Sequence, residues 1–198
     1  MSDRLTLTFY LLRHAESAPD RRLPESDWPL SPQGEAQSQA LVLVLERLGI
    51  TCIVSSPYLR ALRTVEPFAR QAGLDVAIDT DLRERNLAEG YATDWETLIR
   101  RAWDDLSFRA PGGESGLECQ QRVAACIERW IRRANRGSAT ADTILFSSHG
   151  NAIGLYLNLL DPSFGFDGWR AMHNPDLFQL VYQEGQVTWV REFISPGF

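Results

Sequence analysis

The chain has 198 residues, 44% of them hydrophobic and 23% charged, which is enough to bury the core of one domain. Its formal net charge of -6 argues against a nucleic acid duplex or an anionic membrane surface as a partner, because binding a polyanion requires a basic face. The twenty basic residues are all arginine, which excludes Schiff-base and P-loop lysine chemistry.

Strands and helices are predicted to alternate from the start of the chain. A strand is expected at about Leu5 to Leu12, followed by a loop rich in proline and charge that continues through Leu30. Ser31-Pro32 is typical of a helix start, with serine as the N-cap and proline at the first helical position. Apolar residues then recur at helical spacing until Gly49, which is expected to end the helix.

A second strand is predicted at Ile50 to Ser55, and Pro57 is expected to begin the next helix. Pro67 lies inside that helix and should kink it or end its regular part, because proline lacks the N–H that a helix needs. The remaining predicted elements are a strand at Val76 to Ile78, a charged segment from Asp79 to Asp94, a helix near Trp95 to Trp103, a long helix that opens with the capping box Ser115-Gly-Leu-Glu118 and runs to about Asn135, a strand at Thr143 to Phe146, a helix at about Asn151 to Leu160, and a hairpin with Glu184-Gly185 at its tip.

This alternation predicts an α/β fold, a single three-layer α/β/α domain over residues 1–198 with a mostly parallel central sheet and a C-terminal antiparallel hairpin at one edge. No apolar run is long enough to span a bilayer, and no signal-peptide pattern opens the chain. We therefore expect a cytoplasmic protein without a membrane partner. Nothing in the sequence favours one oligomeric state.

Basic and imidazole side chains follow three of the predicted strands. Arg13-His14 comes after the first strand, Ser55-Ser56-Pro57 leads from the second strand to Arg60, and His149-Gly150 follows a later strand. Because the carboxyl ends of parallel strands meet at one edge of a sheet, these side chains are expected to share a crevice. Two guanidiniums and two imidazoles around one crevice would bind a tetrahedral dianion, helped by backbone N–H groups at nearby helix starts.

Five motifs occur in order: Leu12-Arg13-His14-Ala15-Glu16-Ser17, Ser55-Ser56-Pro57-Tyr58-Leu59-Arg60-Ala61-Leu62-Arg63-Thr64, Leu82-Arg83-Glu84, Pro111-Gly112-Gly113-Glu114-Ser115 and Ser148-His149-Gly150. Together they resemble the ordered motifs of the histidine phosphatase superfamily, in its phosphoglycerate-mutase-like branch. The resemblance covers nearly the whole chain, from the first strand to Asn174-Pro175-Asp176. A single Arg-His pair would be weak evidence, whereas five motifs in order are specific.

The resemblance implies a mechanism and assigns residues to it. His14 would attack phosphorus and become transiently phosphorylated, while Arg13, Arg60 and His149 hold the phosphoryl oxygens. Glu84 would donate a proton to the leaving group and then act as the base for water. The cations supply the charge that other phosphatases obtain from metals, so neither a metal ion nor another cofactor is expected.

Three carboxylates compete for the acid role in the sequence. Glu84 is preferred to Glu89 and Glu16 because it completes the Leu-x-Glu pattern of the family at the matching distance from Gly90. Glu16 is expected to orient the nucleophile loop instead. Ser17, beside it, is expected to donate to the phosphate.

The chain departs from the family pattern at four positions. Ala15 replaces the commoner glycine, and Asp20 stands where many members have asparagine, which puts a substrate contact there in doubt. Ala88 and Tyr91 lie in a region that often reads Gly-x-Trp-Glu-Gly in the family. The substrate wall beside Ala88 and Tyr91 therefore stays unassigned. Contacts with substrate stay open at Asp20, Arg21, Arg22, Trp28 and Trp95.

We interpret the sequence as a metal-independent phosphatase that acts on a small phosphorylated substrate. A cofactor-dependent phosphoglycerate mutase is the alternative within enzymes, but the stretch Glu84-Arg85-Asn86-Leu87-Ala88 lacks the Glu-Arg-x-Tyr-Gly of the mutases. A second alternative is a phosphatase that acts on phosphohistidine in proteins, but such an enzyme usually has a more compact chain than this one. A phosphate-binding regulatory module with a decayed site would have lost at least one of the core site residues, and none is lost here. A metalloenzyme using His14, Glu16 and His149 is disfavoured because the neighbouring arginines would repel a bound cation.

Overall fold

A computed structural model describes residues 6–90, 94–137, 143–183 and 185–192. The strands are β1 (Thr6–Arg13), β2 (Cys52–Ser55), β3 (Val76–Ile78), β4 (Ile144–Ser148), β5 (Asp176–Gln183) and β6 (Gln186–Glu192). The helices are α1 (Pro32–Leu45), α2 (Leu59–Ala72), α3 (Trp95–Asp104), α4 (Gly116–Gly137), α5 (Gly150–Leu160) and α6 (Phe166–Arg170). Short 3-10 turns lie at Glu25–Asp27, Glu46–Leu48 and Thr80–Leu82.

The strands form one sheet in the order β3-β2-β4-β1-β5-β6. Strands β1 to β4 are parallel, β5 is antiparallel to β1, and β6 is antiparallel to β5. The register places Arg13 beside Ser148 and Ser55 beside Ser147, so the carboxyl ends of β1, β2 and β4 meet at one edge of the sheet. The predicted fold class, with its parallel centre and antiparallel C-terminal hairpin, is confirmed.

Helices cover both faces of this sheet, because the side chains of β1 alternate between two apolar clusters. Phe9 and Leu11 pack in the cluster that includes residues of α4 and α5, whereas Tyr10 and Leu12 pack in the cluster that includes residues of α1 and α2. No helix in the described part of the chain has the length and apolar character needed to cross a membrane.

Helix α2 runs through Pro67 to Ala72, so of the two expected effects of this proline, the end of the helix is contradicted. Proline has no N–H to donate to the carbonyl of Arg63, one turn earlier. In the structure that carbonyl accepts a hydrogen bond of 2.8 Å from the hydroxyl of Ser38 on α1. A neighbouring helix therefore supplies the missing donor, and α2 begins at Leu59 rather than at Pro57.

Strand β4 extends beyond its apolar run to Ser148, two residues further than predicted. The hydroxyl of Ser147 donates to the carbonyl of Ala61, and that of Ser148 donates to the carbonyl of Leu82. These partners satisfy two buried polar side chains inside the sheet. Helix α6 was not predicted from the sequence, and Leu5, Tyr91 and Glu184 lie outside the described residues.

Candidate active site

His14 directly follows β1 and is buried at the carboxyl edge of the sheet. Its Nδ1 lies 2.7 Å from the carbonyl oxygen of Ala15, and its Nε2 lies 3.1 Å from Nε of Arg60. A carbonyl oxygen only accepts and an arginine N–H only donates, so Nδ1 carries the proton and Nε2 presents its lone pair. Burial first, and then the charge of Arg60, lower the pKa of His14 well below its usual value. The imidazole is therefore neutral, with the lone pair on Nε2.

Two helices hold the loop that carries this histidine. The N–H of Ala15 donates to Thr64 Oγ1 of α2 over 2.9 Å, and the N–H of Glu16 donates to Gln37 Oε1 of α1 over 2.9 Å. Ser31, the N-cap of α1, also donates its hydroxyl to the Glu16 carboxylate over 2.6 Å. Glu16 thus contacts α1 through both its backbone and its carboxylate, and its expected role in orienting the loop stays a prediction.

Arg13 and Arg60 both lie at this edge of the sheet. Arg13 Nη1 donates to the carbonyl of Met172 over 3.0 Å, while its Nε is buried without a hydrogen-bond partner among the described residues. Arg60 donates from Nε to His14 and from both Nη atoms to Glu25. The structure therefore brings both predicted arginines to the histidine, one of them with an unsatisfied donor.

His149 reaches the same pocket from the N-cap position of α5. The centroid of its ring is 5.2 Å from that of His14 and 5.0 Å from that of Tyr58. Its Nε2 lies 2.8 Å from Ser56 Oγ, and its buried Nδ1 has no partner among the described residues. Burial, followed by the charge of Arg60, lowers the pKa of His149 well below its usual value. The second imidazole is thus neutral too.

Glu84 binds the start of α5, immediately beyond His149. Its carboxylate accepts the N–H of Asn151 over 3.2 Å and the N–H of Ala152 over 3.1 Å. The two other candidate carboxylates lie elsewhere: Glu16 binds Ser31, and Glu89 is exposed with its side chain against Gly112. Of these three, Glu84 is the carboxylate at the pocket.

Ser17 is half-buried, and its backbone pairs with Leu30 in an isolated antiparallel bridge. No described contact brings its hydroxyl to His14, so its phosphate contact stays a prediction. Among the described residues there is also no group of three or more histidine, cysteine, aspartate or glutamate side chains that could hold a metal ion.

The model of the histidine phosphatase superfamily (branch 1) matches residues 9–194. The chain belongs to this superfamily. A curated relative, the probable phosphoglycerate mutase GpmB of Shigella boydii, is 33% identical over 193 residues, covering 90% of this chain and 86% of that protein.

Solved structures give the same assignment of fold. The mycobacterial glucosyl-3-phosphoglycerate phosphatase bound to inorganic phosphate is 26% identical, with a TM-score of 0.74 over 94% of this chain and 96% of that one. Bacillus stearothermophilus YhfR is 22% identical, with a TM-score of 0.77 over 94% and 96% of the two chains. Membership of the superfamily makes this chain an enzyme of the phosphatase and mutase class.

The structure also holds a chamber of about 680 Å³, which is lined by Glu84 and by Asn151, two residues after His149 in the chain. Its volume is that of a pocket for a small ligand. Arg21, Trp28 and Trp95 line it as well, whereas Asp20 and Arg22 form an exposed ion pair with each other. Arg85 also lines the chamber, but its guanidinium donates to the backbone carbonyls of Glu114, Ala102 and Phe108.

Sequence reasoning missed three residues that contact the site. Glu25 binds Arg60, Tyr58 packs against His149, and Asn174 Nδ2 donates to the backbone carbonyl of His14 over 2.8 Å. Glu25 lies in a loop without periodic pattern, and Asn174 lies far along the chain before β5. The sequence did offer one signal for Asn174: it directly precedes a proline and a predicted strand, which is typical of a turn with a restricted backbone.

Proposed function

We propose that this enzyme is a metal-independent phosphatase that hydrolyses small phosphomonoesters through a phosphohistidine on His14. The observation that supports this most strongly is the lone pair of His14 Nε2, fixed against Arg60 in a buried pocket beside His149. The names of the relatives include phosphatases and a phosphoglycerate mutase, both of which describe chemistry on phosphate esters of small molecules.

In the first step, the lone pair of His14 Nε2 attacks phosphorus, and the bond from phosphorus to the ester oxygen breaks as the N–P bond forms. This attack requires that Arg60 has already turned its Nε–H from His14 Nε2 to a phosphoryl oxygen of the bound substrate, which frees the lone pair. Arg13 and His149, whose buried Nε and Nδ1 lack described partners, donate to the other oxygens. Protonated Glu84 gives its proton to the leaving oxygen, which departs as an alcohol.

In the second step, water replaces the alcohol. Glu84, now ionised, takes a proton from the water as its oxygen attacks phosphorus, and the N–P bond breaks. The electron pair returns to His14 Nε2, and inorganic phosphate leaves. The hydrogen bond from His14 Nδ1 to Ala15 keeps the same tautomer throughout, so the ring is ready for the next substrate.

Two guanidiniums supply the positive charge for both steps. Arg13 and Arg60 stay protonated at neutral pH and carry N–H donors in planar arrays that match phosphoryl oxygens. Their charge does the electrostatic work that a metal ion does in other phosphatases. We therefore expect the reaction to proceed without an added metal.

A mutase is the second candidate, because the curated relative at 33% identity is named a probable phosphoglycerate mutase. A mutase returns the phosphoryl group from histidine to a second substrate oxygen, whereas a phosphatase passes it to water. Arg85 follows Glu84 in the chain, but backbone carbonyls bind its guanidinium. This leaves it a structural part of the chamber wall. Hydrolysis is favoured because Leu87 and Ala88 stand where the mutase motif has Tyr-Gly.

The test is a screen of small phosphomonoesters with a chelator present, followed by trapping of the phosphoenzyme. We expect release of inorganic phosphate and, after quenching in alkali, a phosphoryl group on His14 found by mass spectrometry. His14→Ala should lose both signals, while His173→Gln, at an exposed histidine, should keep both. Isomerised phosphoglycerate without phosphate release would identify a mutase, and a phosphoryl group on serine or cysteine would disprove the mechanism.

A further inference from the structure

The ring of His149 makes one hydrogen bond among the described residues, and its partner is the hydroxyl of Ser56. Ser56 Oγ lies 2.8 Å from His149 Nε2, and both residues are fully buried. The backbone N–H of Ser56 also donates to the carbonyl of Ser147 over 2.9 Å, which ties the serine to β4, the strand directly before His149. The serine is thus held in place beside the imidazole.

The direction of this hydrogen bond follows from the other partner of the hydroxyl. The backbone N–H of Tyr58 donates to Ser56 Oγ over 3.2 Å, so one lone pair of the oxygen is already used. A serine hydroxyl carries one proton to donate. Among the described residues, the acceptor within reach of that proton is Nε2 of His149. Ser56 therefore donates and His149 Nε2 accepts.

The alternative tautomer of His149 leaves more polar atoms unsatisfied. Because burial keeps the ring neutral, the imidazole carries a single N–H. With that proton on Nδ1, the hydrogen bond between Ser56 and Nε2 is satisfied at both ends. With the proton on Nε2, the hydroxyl of Ser56 would have to accept from both neighbours, and its own proton would be buried without an acceptor. A buried donor without a partner is costly, so the Nδ1–H tautomer is favoured.

The same tautomer suits an anionic ligand. His149 Nδ1 is buried and has no hydrogen-bond partner among the described residues. An N–H at this atom can donate to a phosphoryl oxygen, whereas a lone pair there would repel that oxygen. An unconstrained histidine in water prefers the proton on Nε2, so the protein has to impose the Nδ1–H form. It does so through the hydrogen bond that the other ring nitrogen makes.

We infer that Ser56 is a positioning residue, which donates its hydroxyl proton to His149 Nε2 and thereby keeps Nδ1 protonated as a donor to the phosphoryl group. The inference rests on the proposed function, because that function gives His149 phosphoryl oxygens to bind. Tyr58 supports the arrangement twice, since its backbone N–H binds Ser56 and the centroid of its ring lies 5.0 Å from that of His149. Ser56 acts through His149 rather than on the substrate.

Nitrogen-15 NMR of the histidine rings measures the tautomer directly and needs no turnover. The chain has three histidines, so spectra of His14→Gln and His173→Gln assign every ring signal. At about pH 8 even an unperturbed imidazole is neutral. There we expect the native enzyme to show His149 with its proton on Nδ1 and a bare Nε2. A native His149 protonated on Nε2 would overturn the inference, whatever the variants show.

Ser56→Ala removes the donor and should return His149 toward the tautomer preferred in water. Inorganic phosphate, titrated by calorimetry, should then bind roughly tenfold more weakly, because affinity scales with the fraction of protein in the competent form. Ser147→Ala is the matched control, since Ser147 is a fully buried serine at the same sheet edge whose hydroxyl donates to the carbonyl of Ala61. It should leave the tautomer of His149 unchanged.

The tautomer and the proposed function fail in different measurements. If His149 stays fully protonated on Nδ1 in Ser56→Ala, Ser56 does not set the tautomer and the inference is wrong. A loss of phosphate affinity without a change of tautomer would equally overturn it and assign Ser56 to packing. If the tautomer shifts as expected but no small phosphomonoester releases phosphate, the proposed phosphatase function fails while the control of His149 by Ser56 holds.

Discussion

Two carboxylates reach the pocket, and their hydrogen bonds give them different chemistry. Glu25 accepts from the guanidinium of Arg60, so its negative charge is paired. Glu84 accepts from neutral backbone N–H groups at the start of α5, and no ion pair involving it is found among the described residues. Of the two carboxylates, Glu84 is thus the one that is not tied to a guanidinium, and it is the one to which we assign the acid and base role.

Replacing Glu84 by glutamine tests the proton that it donates. Because an alkoxide leaves poorly, hydrolysis of an alkyl phosphate should lose most of the roughly 10²–10⁴-fold that a positioned acid supplies. Nitrophenolate leaves without help, so the first step with nitrophenyl phosphate should stay fast. Single-turnover release of alcohol or nitrophenol measures that first step alone and excludes the later attack of water.

The matched control is Glu89→Gln, because Glu89 is an exposed carboxylate in the same segment of the chain. It should leave both substrates unaffected. Equal loss of the first step with both substrates in Glu84→Gln would contradict the acid role and would assign Glu84 to positioning α5.

At the scale of elements, the site depends on where three helices begin. The start of α1 binds Glu16, α2 binds Ala15 and carries Arg60, and α5 begins at His149 and binds Glu84. The polar loops at the ends of β1, β2 and β4 are therefore held by these helices as well as by one another, since His149 contacts Ser56. This is the arrangement in which parallel α/β sheets place their ligands.

Gly34 in the first turn of α1 lies directly against the nucleophile loop. A Cβ at this position would lie 1.9 Å from the backbone carbonyl oxygen of Glu16, so Gly34→Ala must displace α1 or the loop. Glycine to alanine in a helix ordinarily stabilises by about 1 kcal/mol. Here we expect the opposite, a loss of about 1–3 kcal/mol in the free energy of unfolding, with at least a tenfold loss of kcat.

Urea unfolding and steady-state kinetics measure the two effects. Gln33→Ala is the control, because Gln33 is exposed in the same turn and its truncation should change neither quantity appreciably. A Gly34→Ala protein as stable and active as the native enzyme would show that the contact between α1 and the nucleophile loop is dispensable.

The sequence indicated most elements correctly, since local signals specify them. Gly49 ends the first helical segment with a φ of 64°, and Ser115 and Glu118 form the expected capping box. The predicted bounds are wrong where a hydrogen-bond partner distant in the chain determines where an element ends. The extension of β4 depends on carbonyls that accept the hydroxyls of Ser147 and Ser148, and neither carbonyl is visible in the local pattern.

At the scale of the whole molecule, the sheet converts positions far apart in the chain into one pocket. His14, Arg60 and His149 meet because β1, β4 and β2 are neighbours in the sheet. The sequence predicts that these three side chains come together, because the carboxyl ends of parallel strands meet at one edge of a sheet. Glu25 and Asn174 were not predicted because they reach the pocket from connections whose paths depend on the completed fold.

Burying two neutral histidines makes the stability of the molecule depend on pH. The pKa of both His14 and His149 is lowered well below 6.5 by burial, whereas in the unfolded chain both titrate near that value. Below about pH 6.5 the unfolded chain therefore binds more protons than the folded one. Stability is fully present above that pH and is lost progressively as pH falls toward the lowered values.

Between pH 7.5 and 5.5 we expect these histidines to lower the free energy of unfolding by about 2–3 kcal/mol in total, since each contributes up to about 1.4 kcal/mol per pH unit. Urea unfolding across this range measures the slope. His14→Gln should remove about half of it, because one buried imidazole remains. His173→Gln is the control and should leave it unchanged, because the side chain of His173 is exposed rather than buried. An unaltered slope in His14→Gln would mean that His14 binds its proton as readily in the fold as in the unfolded chain, and that burial does not keep it neutral below about pH 6.5.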